Sequence, residues 1–206
     1  MVHPRRGMSM SQEGASNSRR RFLTGAVAVV GGVGAAYTAV PFLAYWKPSA
    51  RARAAGAPVE VDTRTLEPGQ KINLTWRGQP VWVIRRSEAA LESLAAVEDE
   101  LSDPQSNVAS QQPDYTQNAH RSIDPEFLVI VPICTHLGCI PSYMPQAGSL
   151  DADWQGGFFC PCHGSKFDLA GRVYSGVPAP TNLQVPPHHV ADGGRLVIGE
   201  DPEAAA

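Results

Sequence analysis

The sequence predicts a mainly β, loop-rich domain carried behind a single N-terminal transmembrane helix. Three observations predict it. Among 206 residues there are 19 glycines and 18 prolines, which suits short strands joined by turns better than a helical bundle. From Val59 onward, apolar residues recur mainly at alternate positions. Near the N-terminus, residues 22–46 contain no charged side chain.

The first segment, 1–21, is polar and basic, with Arg5, Arg6, Arg19, Arg20 and Arg21 against Glu13 alone. The apolar run 22–46 is about 25 residues, roughly 37 Å as a helix, against a hydrocarbon core of about 30 Å. Gly31, Gly32 and Gly34 offer a smooth face to a neighbouring helix. Tyr45 and Trp46, followed by Lys47, sit where an interfacial anchor belongs. Ser18-Arg19-Arg20-Arg21-Phe22-Leu23 resembles a twin-arginine export signal. Cleavage at Ala50-Arg51-Ala52 or Ala52-Arg53-Ala54 is the rival reading, but the run exceeds the usual signal core of about 7–15 residues. An uncleaved signal-anchor is therefore expected, single-pass in a bacterial inner membrane, with the basic end cytoplasmic and the remainder periplasmic. Lys47, Arg51 and Arg53 weaken the charge asymmetry, so this orientation leans on the export signal.

Residues 47–58 form a linker, either a flexible tether or a semi-helical spacer. Val59 and Val61, then Ile72, Leu74 and Trp76, then Val81 and Val83 mark strands, with Gly78-Gln79-Pro80 as a turn. Leu91, Leu94, Val97 and Leu101 recur at helical spacing behind Ser87 as N-cap, predicting a helix over 87–101. The acidic run Glu98, Asp99, Glu100 is its solvated end. Residues 102–125, including His120, read as a surface loop. Phe127 to Val131 is a compact strand, and Gly157-Phe158-Phe159 leads into a second one. Asp151, Asp153 and Trp154 fall in an expected solvated loop. His188 and His189 follow Pro186-Pro187 in an expected solvent-facing turn. His3 lies in the N-terminal tail, and 201–206 is expected to be a flexible tail.

Net charge is −3, so no global basic field points to nucleic acid. All four cysteines lie within two boxes, Cys134-Thr135-His136-Leu137-Gly138-Cys139 and Cys160-Pro161-Cys162-His163-Gly164-Ser165. Gathered cysteines with nearby histidines suit a metal or redox site more than a disulfide scaffold. Zinc pairs usually have two or more residues between ligands, whereas Cys134 and His136 have one. A four-cysteine ferredoxin site would leave both histidines idle. Two structural disulfides are open to an exported protein, but the repeated Cys–His–Gly pattern argues against them.

The boxes resemble those of the Rieske family, in the form found in cytochrome bc-type complexes. Gly176-Val177-Pro178-Ala179-Pro180 is similar to that family's cluster-covering proline loop, and Trp76-Arg77-Gly78-Gln79-Pro80-Val81-Trp82 to its early strand pair. The resemblance implies a Rieske-type antiparallel β-sandwich head over 59–200, with a cluster-binding subdomain, one short helix and a loop insertion. It implies one [2Fe-2S] cluster, with Cys134 and Cys160 on one iron and His136 and His163 on the other. It implies a Cys139–Cys162 disulfide, which Rieske oxygenases typically lack, and a hydrogen bond from Ser165 to a bridging sulfide. Neutral histidine in place of thiolate makes the added electron easier to accept, and the oxidised cluster depresses imidazole pKa values, coupling electron to proton.

The implied function is the iron–sulfur subunit of a ubiquinol–cytochrome c reductase. His163 would meet ubiquinol in cytochrome b, and the head would swing on 47–58 to a cytochrome c-type haem within a dimeric complex in the lipid bilayer. The small Rieske subunit of a periplasmic oxidase, such as arsenite oxidase, is the alternative. One departure stands out. High-potential members commonly carry a tyrosine two residues after the serine, and here Lys166 is followed by Phe167. A lower potential than in tyrosine-containing relatives is expected.

Overall fold

The computed structural model describes residues 17–191 and 193–202. The expectations for Arg5, Arg6, His3 and most of the tail lie outside the described residues. The chain divides into two units at the Ala50–Arg51 junction.

In the first unit, α1 (Asn17–Tyr45) is 29 residues long and contains Pro41. It starts before the charge-free run and takes in Arg19, Arg20 and Arg21. It is long and apolar enough to cross a membrane, and none of its residues is buried. Thr24 and Thr38 donate their hydroxyls to the carbonyls of Arg20 and Gly34 at 2.8 and 2.7 Å. Such internal bonds satisfy both threonine hydroxyls within the helix, as a hydrocarbon surrounding requires.

The six-residue helix α2 (Ala50–Ala55) lies in the second unit except for its first residue, so part of the 47–58 linker is helical. The Arg77 N–H donates to the Ala55 carbonyl at 3.0 Å, tying the end of α2 to the domain. Among its described residues the domain contains three antiparallel sheets of three strands. In the first, β1 (Val59–Asp62) and β8 (His188–Ala191) flank β9 (Arg195–Ile198). In the second, β3 (Gln79–Arg85) lies between β2 (Lys71–Trp76) and β4 (Phe127–Ile130). These two sheets share a core of Trp76, Val81, Val83, Val129, Leu196 and Ile198. In the third, β6 (Gly157–Cys160) lies between β5 (Ser142–Met144) and β7 (Ser165–Phe167). Its Phe158 and Phe167 pack with Ile84, Leu128 and Ile130 of the second sheet's other face, which joins the cysteine loops to the head.

Several local expectations are corrected. The β2–β3 turn is Arg77-Gly78, both left-handed (φ 51° and 75°), while Gln79 and Pro80 belong to β3. Two left-handed residues give the primed turn that matches strand twist. The helix is α3 (Glu88–Ala96), capped by the Ser87 hydroxyl. Val97 leaves helical geometry (φ −106°, ψ 2°), and Glu98–Glu100 forms a 3-10 turn. Val97 and Leu101 nevertheless stay buried, beside Trp154 and Tyr174. Trp154 is thus core rather than solvated loop. Its ring stacks on Tyr174 at 6.1 Å, and its indole N–H donates to the Met144 carbonyl at 3.0 Å.

Segment 102–125 is no surface loop either. Ser106, Gln112, Thr116, Arg121 and Ser122 are buried in it. Arg121 donates to the Leu183 carbonyl at 2.7 Å and to Gln112 Oε1 at 3.0 Å. Arg86 donates to the His120 carbonyl at 2.8 Å and the Ser122 hydroxyl at 2.7 Å. Burial lowers both guanidinium pKa values to about 10, leaving them charged at neutral pH. Two arginines therefore act as hubs for carbonyls that a strandless segment leaves unpaired. His188 opens β8 and is buried, with Nδ1 2.9 Å from the Pro186 carbonyl, instead of facing solvent. Of the tail, Asp201 is held by the Tyr115 hydroxyl at 3.0 Å.

Candidate metal centre

The first loop leaves β4 through Val131, whose N–H donates to the Gln184 carbonyl at 2.8 Å. It folds back on itself: Cys134 N–H donates to the Cys139 carbonyl at 2.8 Å and Gly138 N–H to the Cys134 carbonyl at 2.9 Å. Gly138 has φ 83°, a turn conformation that a side chain would strain. The second loop joins β6 to β7, where Cys160 and Ser165 face each other in register. Gly157 lies so close to the Phe167 carbonyl that a Cβ there would collide with it. That contact seats β6, and with it Cys160, tightly on β7.

Cys139 and Cys162 are disulfide-bonded, which joins the two loops. The bond removes both sulfurs from any ligand set and so disposes of the four-cysteine alternative. It also leaves the close group of Cys139, Cys160 and Cys162 with one free thiol. The free thiols are Cys134 and Cys160, each 2 % exposed. Burial pushes the Cys134 thiol up. The backbone N–H of His136 and the Ser165 hydroxyl pull against this by hydrogen bonding to it, while the neighbouring Cys160 thiol adds to the rise.

The imidazoles of His136 and His163 lie edge to face, ring centroids 4.7 Å apart. His136 is half-buried and His163 exposed. The structure therefore pairs the expected ligands two by two: the thiols of Cys134 and Cys160 are buried neighbours, and the imidazoles of His136 and His163 face each other nearer the surface. The donor set fits a [2Fe-2S] group with unlike irons, since neutral nitrogen and anionic sulfur are segregated.

Ser165 is fully buried, and its oxygen accepts from the Ala179 N–H at 3.1 Å. This bond seats the proline loop, in which Ala179 is buried and Val177 packs between two core groups. Thr135 fastens the first loop to the same stretch, donating to the Thr181 carbonyl at 2.7 Å. Phe167 is buried in one core group with Cys134 and Cys160. Lys166 points elsewhere and pairs with Asp151 at 2.6 Å.

Two features escaped the sequence reading. Leu137 and Ile140, which flank the disulfide-bonded Cys139 in sequence, are 71 % and 56 % exposed. The signal was present as apolar residues inside and just after a box of otherwise polar or small residues. The second is the Asp168–Arg172 pair, 2.7 Å and buried, directly after β7. Asp168 also accepts from the Ala170 and Arg172 N–H groups, and Arg172 donates to the Leu94 carbonyl.

A family model described as the Rieske [2Fe-2S] domain matches residues 58–187, and one for the "Ubiquitinol-cytochrome C reductase Fe-S subunit TAT signal" matches residues 9–49. The ubiquinol–cytochrome c reductase iron–sulfur subunit of Allochromatium vinosum is 56 % identical over 194 residues, covering 93 % of each chain. That of Blastochloris viridis is 41 % identical over 190 residues, 92 % of this chain and 97 % of its own. A solved structure from a hyperthermophilic respiratory Complex III is 28 % identical, covering 85 % of this chain and 98 % of its own, with a TM-score of 0.46. The chain belongs to the Rieske family, among the iron–sulfur subunits of ubiquinol–cytochrome c reductase, and carries one [2Fe-2S] cluster.

Proposed function

We propose that this chain takes electrons one at a time from ubiquinol and delivers them to a cytochrome c-type haem. The observation that carries this reading is the pairing of an exposed His163 with the half-buried His136, in loops that each bury one free thiol. Cys134 and Cys160 would hold one iron of the cluster, and His136 and His163 the other. The bound cluster supplies a one-electron acceptor whose neutral ligands place it at about −150 to +300 mV.

The chain's own residues do the rest. His163, on the solvent side, accepts a hydrogen bond from the quinol hydroxyl through its ring nitrogen not bound to iron. It then keeps the proton as the electron leaves the quinol. Ser165 polarises the buried side, the Cys139–Cys162 bond holds the two loops in register, and the proline loop keeps water from the thiols. The Tat-type segment and α1 hold the chain in a bacterial inner membrane, with the head on the periplasmic side. Residues 47–58 serve as the hinge between cytochrome b and the haem-bearing subunit in a dimeric complex.

The test is the midpoint potential of the purified protein against pH, followed by EPR. The midpoint is expected to fall by about 59 mV per pH unit per coupled proton in the alkaline range. A flat profile removes the proton-accepting role of His163.

A further inference from the structure

Cys160 has close neighbours besides the iron it is expected to bind. Its sulfur and those of Cys139 and Cys162 all lie within 4.8 Å of one another. Two of the three form a disulfide and the third is a free thiol. Such a thiol is positioned to react: exchange proceeds by thiolate attack on one sulfur of a disulfide while the other leaves. Cys160 and Cys162 are separated by one residue, so a bond between them would close a small, strained ring. Cys139 is the sulfur to attack. Cys162 is then the leaving group, and it is exposed, so its thiolate emerges into water.

We propose, resting on the ligand reading above, that iron bound to Cys160 protects the Cys139–Cys162 disulfide. In the cluster-free head, Cys160 exchanges into it. The Cys160 sulfur bonds to Cys139 Sγ and gives up its proton toward the departing Cys162 sulfur. The Cys139–Cys162 bond breaks, and Cys162 Sγ leaves with the electron pair and takes up a proton. One disulfide and one thiol are present before and after, so no oxidant is required. The product has a Cys139–Cys160 bond in place of a buried iron ligand, and a new surface thiol at Cys162. Loss of the cluster is thereby recorded as a covalent change that must be reversed before iron can be rebound.

The experiment uses the full-length chain, purified in detergent with its cluster. Iron is removed by a chelator under anaerobic conditions. Free thiols are trapped with N-ethylmaleimide during denaturation, and cross-links are mapped by non-reducing digestion and mass spectrometry. The loaded protein should carry label on Cys134 and Cys160 with a Cys139–Cys162 cross-link. After iron removal the label should move from Cys160 to Cys162, and the cross-link should become Cys139–Cys160. An unchanged map, or a Cys134–Cys160 cross-link, overturns the proposal. In Cys160→Ser the Cys139–Cys162 bond should persist with label on Cys134 alone, and rearrangement there also overturns it. Failure of the ligand reading is distinguishable, because it shows before chelation as a protein without iron or visible absorption.

Discussion

In the first cysteine loop Gly138 donates its N–H to the Cys134 carbonyl, and in the second Gly164 does the same to Cys160, both at 2.9 Å. Both glycines are left-handed, with φ 83° and 79°. Each loop buries one free thiol and gives one sulfur to the shared disulfide. Their supports differ. The first is fastened at its outer part by one neutral hydrogen bond, Thr135 to the Thr181 carbonyl. The second runs straight into β7 and the buried Asp168–Arg172 pair. Their histidines differ too, with His163 exposed and His136 half-buried. The lesson is that similar ligand geometry is compatible with unequal anchorage, and the firmer loop carries the more exposed imidazole.

The largest expected effect breaks that anchorage. Asp168→Ala leaves the Arg172 guanidinium buried without its carboxylate and should cost about 3–5 kcal/mol. Thr135→Val should cost only about 1 kcal/mol. Denaturation of the two variants side by side measures the gap, and equal losses would mean that the loops are equally braced. Next in size is the bond between them. Cys139→Ala with Cys162→Ala should cost about 3 kcal/mol, given a closed loop of about two dozen residues. Loss of visible absorption on heating reports it, and an unchanged midpoint temperature would show that each loop holds itself.

A smaller effect separates the loops electronically. Phe167 shares a core group with both free cysteines, and only the second loop continues into it. Phe167→Tyr introduces a hydroxyl there that can donate to a cysteine sulfur, and the cluster's midpoint should rise. A fall or no change in voltammetry sinks that expectation.

Outside both loops, His188 supplies the smallest effect. Burial lowers its pKa, and the neighbouring His189 pushes it the same way, against the raising influence of the Pro186 carbonyl and Asp201. Between the folded pKa and the ordinary value of about 6.5, the unfolded chain therefore binds more protons. The stabilisation should be complete above about pH 6.5 and decline as pH falls below it. His188→Gln should flatten this slope in urea titrations at pH 5–8, whereas a slope unchanged from the parent would assign it to other groups.

How much of this was legible in the sequence depends on where each signal resides. Cys134, His136, Cys160, His163 and the partners Cys139 and Cys162 are chemically rare residues at fixed spacing, so the boxes were readable without coordinates. The apolar alternation at Val59, Val61, Ile72, Leu74 and Val81 likewise gave the strands, because one face of a sheet must be buried. The turn at Arg77-Gly78 slipped by one residue because an arginine with φ 51° has no turn signature of its own. Segment 102–125 was opaque for a deeper reason. Its order comes from Arg86 and Arg121, and an arginine in a sequence looks solvated whether it faces water or gathers carbonyls. Trp154 was hidden similarly, since its stacking partner Tyr174 lies 20 residues away, across β6 and β7.

Ser165 has a single hydroxyl hydrogen. Its oxygen accepts from the Ala179 N–H at 3.1 Å, and the same hydroxyl pulls the Cys134 thiol down against the rise that burial causes. One buried oxygen therefore answers both to the backbone of the proline loop and to the first loop's thiol. Pulling Ala179 outward would leave that oxygen without its N–H donor, in a place water does not reach. The proline loop is thus a cover whose seating is felt beneath it as well as above.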